Sequence, residues 1–406
     1  MRDGDEAGGV FSGLKVIDCA SFVAAPAAAT ILSDFGADVI KVEPLGAGDA
    51  YRNLGRLPGM PTCEHDWAWL LTGRNKRSLA MDLKLPEAQA ALHRLVAGAD
   101  VFITNYPLPV RGRLGIDHKT LAALNPRLIY GSFTAYGEVG AEAEKTGFDS
   151  TAYWARSGLM DLVRPDSNAM PARSMPGMGD HPSASSLFGA IVTALYRRER
   201  TGQGAHVSTS LLANGLWANG CFAQAKLCGG VFVDRPPREH AANACTNMYR
   251  CRDGRWFMLT MLNEERQFSP LLGALERTDL LDDPRFATLP ARRENSRALT
   301  AIFDDAFASR DLADWRMRLD KAGITFGIVG TLDDMLQDAQ MREIEALVPF
   351  ADDDLLTVSS AFQIAGERKV QPRRSPEVGQ HSDEVLREAG YSPDEIARLR
   401  ALKVLA

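Results

Sequence analysis

From Leu14 to Ser210 the chain alternates short apolar, strand-like runs with helical segments, and that rhythm admits few folds. Leu14-Lys15-Val16-Ile17-Asp18-Cys19-Ala20 predicts a strand, residues 25–35 a helix of small side chains, and Asp38-Val39-Ile40-Lys41-Val42-Glu43 a second strand, with Gly36 placed to stop the helix. The pattern returns downstream. Pro86 opens a helix running to Val96, Val101-Phe102-Ile103-Thr104 is a strand, residues 118–124 form a short helix and residues 128–133 another strand. Strands separated by crossover helices pair in parallel and need cover on both faces, so the expected class is α/β with a parallel sheet.

The clearest helix is expected over Ser183–Arg198. Leu187, Ile191 and Leu195 recur every four residues, Arg197 and Arg198 fill the last turn, and Gly202 follows as a stop. His206–Ser210 then alternates like a strand and residues 211–225 resume a helix. A different character begins after that point: Arg235-Pro236-Pro237-Arg238 reads as a linker, and two apolar runs flank Asp253-Gly254, a strong hairpin signal. The expected division is a large domain over 1–225, a smaller α+β domain over 226–330, and a closing segment over 331–406.

Composition excludes several classes. With 46 basic and 52 acidic residues the net charge is −6, so no chain-wide cationic field is available to hold a nucleic acid. Apolar runs fall well short of the roughly 20 residues that a membrane-spanning helix needs. Asp3, Asp5 and Glu6 precede any apolar stretch, the reverse of a signal peptide, which points to the cytoplasm. The 6 cysteines include no C-x-x-C pair, and the 7 histidines never fall in H-E-x-x-H, so reduced thiols and no metal site are expected.

Familiar catalytic motifs are missing too. The turn after the first strand reads Ser21-Phe22-Val23-Ala24-Ala25-Pro26 in place of G-x-G-x-x-G, and neither a P-loop nor G-x-S-x-G occurs. What remains is a scatter of short sites. Asn75-Lys76-Arg77-Ser78 packs two cations and two hydrogen-bonding side chains together, as either a phosphate-facing loop or a solvated turn would. Asn105-Tyr106-Pro107 lies at the carboxyl end of an expected parallel strand, where open α/β sheets place ligands, with Arg111 and Arg113 following. Gly177-Met178-Gly179-Asp180-His181-Pro182 puts Asp180 near a helix N-terminus, where it is either an N-cap or a carboxylate kept ionised by the helix dipole for nucleophilic attack.

Taken in order, these pieces resemble the family III CoA-transferases, the family that also holds formyl-CoA transferase, carnitine CoA-transferase and the α-methylacyl-CoA racemases. The resemblance rests on residues 14–18 with Pro26, residues 36–44, Gly48-Asp49, residues 75–78, Asn105-Tyr106-Pro107 with Arg113-Leu114-Gly115, Thr146-Gly147-Phe148-Asp149, Ser157–Met160, Gly179-Asp180, Arg198–Gly204 and Asp253–Trp256. It implies a Rossmann-like large domain built from both termini, a smaller domain between them, and an intertwined homodimer. It also implies that Asp180 attacks an acyl-CoA thioester and passes through an aspartyl-CoA intermediate to a carboxylic acid acceptor. No tightly bound cofactor is implied; coenzyme A is substrate. By the same carry-over Asn75, Lys76 and Arg77 line its adenine and phosphate site, while Asn105 and Arg113 hold the diphosphate and pantetheine.

Departures from the family pattern sharpen the expectation. The racemase branch, the alternative reading, uses a histidine where this chain has Phe148, and phenylalanine cannot carry a proton. Formyl-CoA transferase has a glutamine where Val23 stands, which disfavours oxalate as acceptor. Residues 240–244 contain no glycine for a glycine-rich lid. Val23, Phe148, Tyr153 and Trp154 suggest an apolar acyl site, and residues 22–26 with Gly179-Asp180-His181 resemble the branch acting on 2-hydroxy acids with aryl or branched chains. His181 is expected either to orient Asp180 or to face solvent.

Overall fold

A computed structural model describes residues 9–405 of the chain. Six strands, β1 (Lys15–Asp18), β2 (Asp38–Glu43), β3 (Lys76–Ala80), β4 (Val101–Thr104), β5 (Ile129–Thr134) and β6 (Ala205–Ser210), form one sheet in the order β3-β2-β1-β4-β5-β6. Every pairing in it is parallel. Strand order reverses beside β1, so the crevice between the carboxyl ends of β1 and β4 is the topological switch point where such sheets receive ligands.

Alternation along the strands divides the core in two. Val16, Val39, Val101, Ile103, Ile129 and Phe133 face the helices Ala24–Asp34 and Asp180–Thr201. The first of these is buried along its whole length, and its alanines keep it slim enough to lie between the sheet and its neighbour. Ile17, Ile40, Leu79, Phe102 and Tyr130 face the opposite way, onto Leu92 and Val96 and onto Val385, Leu386, Ile396 and Leu399 from the last part of the chain. A bridge between Met81 and Leu405 seals that return.

Two compact units result. One holds the chain up to Met160, Arg173–Leu227 and Ala339 onward; the other holds Asp161–Ala172 and Cys228–Asp338. In the smaller unit β7 (Thr246–Arg250) and β8 (Trp256–Thr260) form the antiparallel hairpin expected around Gly254, whose φ of 82° suits glycine, and β9 (Phe326–Ile328) extends it. Its core is aromatic, with Tyr249, Phe257, Phe303, Phe307 and Trp315 packed together. Asp161–Ala172 joins this unit through the Arg235 guanidinium, which donates to the Asp161 and Leu162 carbonyls.

Three local expectations need correction. Residues 76–78 are not a loop, because Lys76–Ala80 pairs with β2 as an edge strand and only Asn75 remains in the turn before it. The long helix begins at Asp180 rather than Ser183, with Pro182 tolerated in the first turn where no intrahelical donor is lost. The helix after β6 breaks at Asn219 into Leu211–Ala218 and Gly220–Leu227.

Candidate active site

The switch point is closed from within. Asn105, just past β4, accepts the Ser21 N–H at 2.8 Å and donates its carboxamide to the Ser21 carbonyl at 2.7 Å. Asp49 holds the same turn from the other side: its Oδ1 accepts from Ser21 Oγ at 3.0 Å, Phe22 N at 3.1 Å and Tyr51 N at 2.9 Å. Phe22 thereby takes φ 63°, a left-handed conformation uncommon for a bulky residue. Asp49 is in turn fixed by the Lys41 ammonium at 2.6 Å. Burial acts to raise its pKa, but Lys41 and the N–H donors outweigh that and hold the carboxyl below its ordinary range.

Asp180 is the first residue of the Asp180–Thr201 helix. The turn leading to it is built around Asp149, whose buried Oδ2 accepts from Gly177 N at 2.8 Å and Gly179 N at 3.3 Å, while Oδ1 accepts from Ser150 N at 2.7 Å. Gly177 has φ 90°, and a Cβ on Gly179 would stand 2.7 Å from the Tyr153 ring, so both positions require glycine. Burial first and the neighbouring Asp149 carboxylate second push the Asp180 carboxyl up to about 7. This reverses the expectation from the helix dipole: the dipole's contribution of about 1 kcal/mol at most exposed termini is too small to offset desolvation in this setting.

Asp180 opens onto a cleft of about 700 Å³. One wall is Ser21, Phe22 and Val23; another is Tyr51, Leu54, Leu57, Met60 and Trp67; a third runs from Asn105 to Leu108, and a fourth carries Lys145, Phe148 and Asp149. Its surface is mostly hydrocarbon with a few polar groups, the usual make-up of a small-molecule site. Among the described residues that line it, Lys145 is the one cation, half-exposed and 2.9 Å from Glu142. Tyr51 is buried, and burial followed by the Asp180 charge raises its pKa, so its hydroxyl stays protonated.

The expected site residues fall into two groups. Asp180 and Asn105 meet at the cleft, as do Val23 and Phe148. Asn75, Lys76 and Arg77 do not reach it. Lys76 is buried, its ammonium 2.8 Å from Asp18 and 2.7 Å from the Pro26 carbonyl. Arg77 is taken up by Asp38, Glu384 and Glu388, and Asn75 accepts the Arg373 N–H at 2.7 Å. The parallel strand β3 turns Lys76 into the core and Arg77 toward the returning C-terminal segment, while Asn75 lies in the turn before it, which corrects the expectation of a phosphate-facing loop. Arg113 is exposed in the last turn of the helix Leu108–Arg113 and is not a lining residue. Tyr153 packs in the core rather than in the cleft. His181 does not line the cleft; burial and then Arg74 lower its pKa.

Lys145, Asp149, Tyr51 and Asp49 were not singled out for the site from sequence alone. Asp49 and Asp149 entered the sequence reading only within Gly48-Asp49 and Thr146-Gly147-Phe148-Asp149, pieces of the family pattern to which no role was given.

Comparisons with known proteins identify the family. The model for CoA-transferase family III matches residues 11–382. The (R)-2-hydroxy-4-methylpentanoate CoA-transferase of Clostridioides difficile is 29% identical over 98% of this chain and 99% of its own length. The cinnamoyl-CoA:phenyllactate CoA-transferase of Clostridium sporogenes is 30% identical over 96% of each chain. A crystal structure of a CAIB/BAIF family protein from Brucella suis superposes with a TM-score of 0.84 at 30% identity, covering 94% of this chain and 100% of that one. The chain belongs to CoA-transferase family III. It is an acyl-CoA:carboxylate CoA-transferase, and the racemase alternative is not favoured.

Proposed function

We propose that the chain moves coenzyme A between carboxylic acids through covalent attachment at Asp180. The observation that carries this reading is a half-buried carboxylate at a rigid helix start, aimed into an apolar cleft large enough for an acyl thioester. An Asp180 oxygen attacks the thioester carbonyl and the CoA thiolate leaves, giving a mixed anhydride. The thiolate then attacks the aspartyl carbonyl of that anhydride, releasing the donor acid and leaving aspartyl-CoA. The acceptor carboxylate attacks this thioester to form a second anhydride, and the thiolate returns to its acyl carbonyl, regenerating Asp180. No proton is gained or lost overall, and each step exchanges one activated acyl bond for another. Burial that raises the pKa of Asp180 also makes its ionised form more nucleophilic.

The wall from Asn105 to Leu108 takes the pantetheine arm, with Asn105 holding that wall in place. Lys145 supplies a cation for a CoA phosphate at the rim, and Arg113, exposed at the end of the helix that cleft-lining Leu108 opens, a second one. Asn75, Lys76 and Arg77 are left out of this assignment because none of them lines the cleft, and the Lys76 and Arg77 cations are paired elsewhere. Leu216 and Trp217, 52% and 84% exposed on the Leu211–Ala218 helix, support assembly into a homodimer, since apolar side chains of that size favour a partner surface.

The test is incubation with acetyl-, succinyl-, isocaproyl- and cinnamoyl-CoA, hydroxylamine trapping and peptide mass spectrometry. A donor-dependent hydroxamate on the Asp180 peptide, absent from Asp180→Asn, is expected. CoA binding without any adduct, or full transfer by Asp180→Asn, overturns the reading.

A further inference from the structure

Phe22 occupies an unusual place. A glycine would take φ 63° without strain, whereas a bulky side chain there is held only when the surroundings over-determine it. The surroundings do so: Asn105 grips both polar groups of the Ser21 backbone, and Asp49 takes the Phe22 N–H. The ring that this turn presents is not spent on the core. It is 41% exposed on the cleft wall, and 6.1 Å away, at an interplanar angle of 80°, stands the ring of Phe148, itself 61% exposed. Two wetted aromatic rings edge to face in the same cleft form an apolar surface awaiting an apolar group.

We propose that Phe22 is a specificity-determining residue: the turn clamped by Asp49 and Asn105 presents its ring, together with that of Phe148, as a wall selecting acyl groups with a branched or aromatic hydrocarbon side chain. The inference rests on the reading of this cleft as the acyl site. An acetyl group is too small to cover both rings, so water stays on them. A branched or aryl side chain displaces that water and gains the apolar contact. Val23, Leu54, Met60 and Trp67 continue the same surface and add no charge.

Phe22→Gly separates function from folding, because it deletes the ring while relieving the backbone. Affinities for isocaproyl-CoA, cinnamoyl-CoA and acetyl-CoA are measured by calorimetry in an Asp180→Asn background, so that the thioesters are not consumed. The parent should prefer the two bulky thioesters. Phe22→Gly should shrink that preference by about ten-fold, the usual worth of a lost apolar contact of this kind, with a melting temperature equal to or above the parent's. A parent without preference, or a preference that survives Phe22→Gly, overturns the proposal. Because the readout is a binding ratio, it is independent of whether Asp180 forms the covalent adduct, which the trapping experiment decides separately.

Discussion

Asn105 and Ser21 bridge the carboxyl ends of β4 and β1 through two hydrogen bonds, 2.8 Å and 2.7 Å long, across the point where the strand order reverses. A side-chain amide that both donates to and accepts from one residue's backbone acts as an extra rung of sheet where the sheet itself has ended. It fixes the turn that carries Phe22 and Val23. Asn105→Ala leaves both Ser21 groups to find water or go unpaired, and stability should fall by about 1–3 kcal/mol. Urea unfolding measures this, and an unchanged midpoint would show that the bridge is dispensable.

The pH dependence follows from Asp180. Its carboxyl must be ionised to attack, and with a pKa raised to about 7 the rate kcat/KM should climb through an acid limb centred near neutrality. Asp149→Asn keeps an acceptor for the Gly177 and Gly179 N–H groups but removes the like charge. The limb should then move to lower pH with the turn intact. A limb that stays in place would assign the shift to burial alone.

Stability carries the opposite sign from the common aspartate case. The carboxyl is raised above its ordinary 3.8, so the folded state holds the proton that the unfolded chain has released, and stability falls as pH rises from about 4 to about 7. Asp180→Asn removes the ionisation and should be more stable than the parent at pH 8 by roughly 1–3 kcal/mol, a range reduced for screening by the open cleft. The difference should vanish near pH 4, which thermal melts at both pH values will show.

Lys41 and Asp49 are buried together, 2.6 Å apart, with Asp18 3.8 Å from the same ammonium. Burial acts to lower the lysine pKa, but Asp18 and Asp49 outweigh it and raise it. Lys41→Met strips the cation and leaves carboxylates buried without it, a loss of about 3–5 kcal/mol by the usual cost of breaking such a pair. A denaturant midpoint within error of the parent would refute this.

Gly179→Ala tests how rigidly Asp180 is seated. The added methyl meets Tyr153 at 2.7 Å, so the helix start must shift. Overpacking of this kind costs about 1–3 kcal/mol, and transfer should fall by more than the folded fraction does. Equal losses in activity and folded fraction would show that the seat tolerates displacement.

Much of the larger unit was readable because its signals are local. Period-two and period-four patterning placed five of the six sheet strands, and Gly36, Pro86 and Gly202 marked ends by conformational limits that belong to those residues alone. Asp180 was reachable as well, since glycines on either side of Met178 and an apolar helix after it are contiguous signals. The cations at Lys76 and Arg77 were misplaced because a residue type announces charge and not direction. Only their pairing against β2 shows that one ammonium points to Asp18 and the neighbouring guanidinium to Asp38.

By itself, then, the sequence determined the alternating α/β pattern, the family and the carboxylate to watch, all of which depend on spacing along one segment. The tertiary structure alone decided what surrounds that carboxylate. Asp149 lies 31 positions before it and Asp49 131 before it, and no local pattern foretells that one carboxylate folds the turn beneath Asp180 while another pins the strained turn at Phe22. The ionisation of Asp180 near neutrality has the same origin: desolvation and a like charge are properties of a filled volume, and that volume exists only once distant segments have packed against one another.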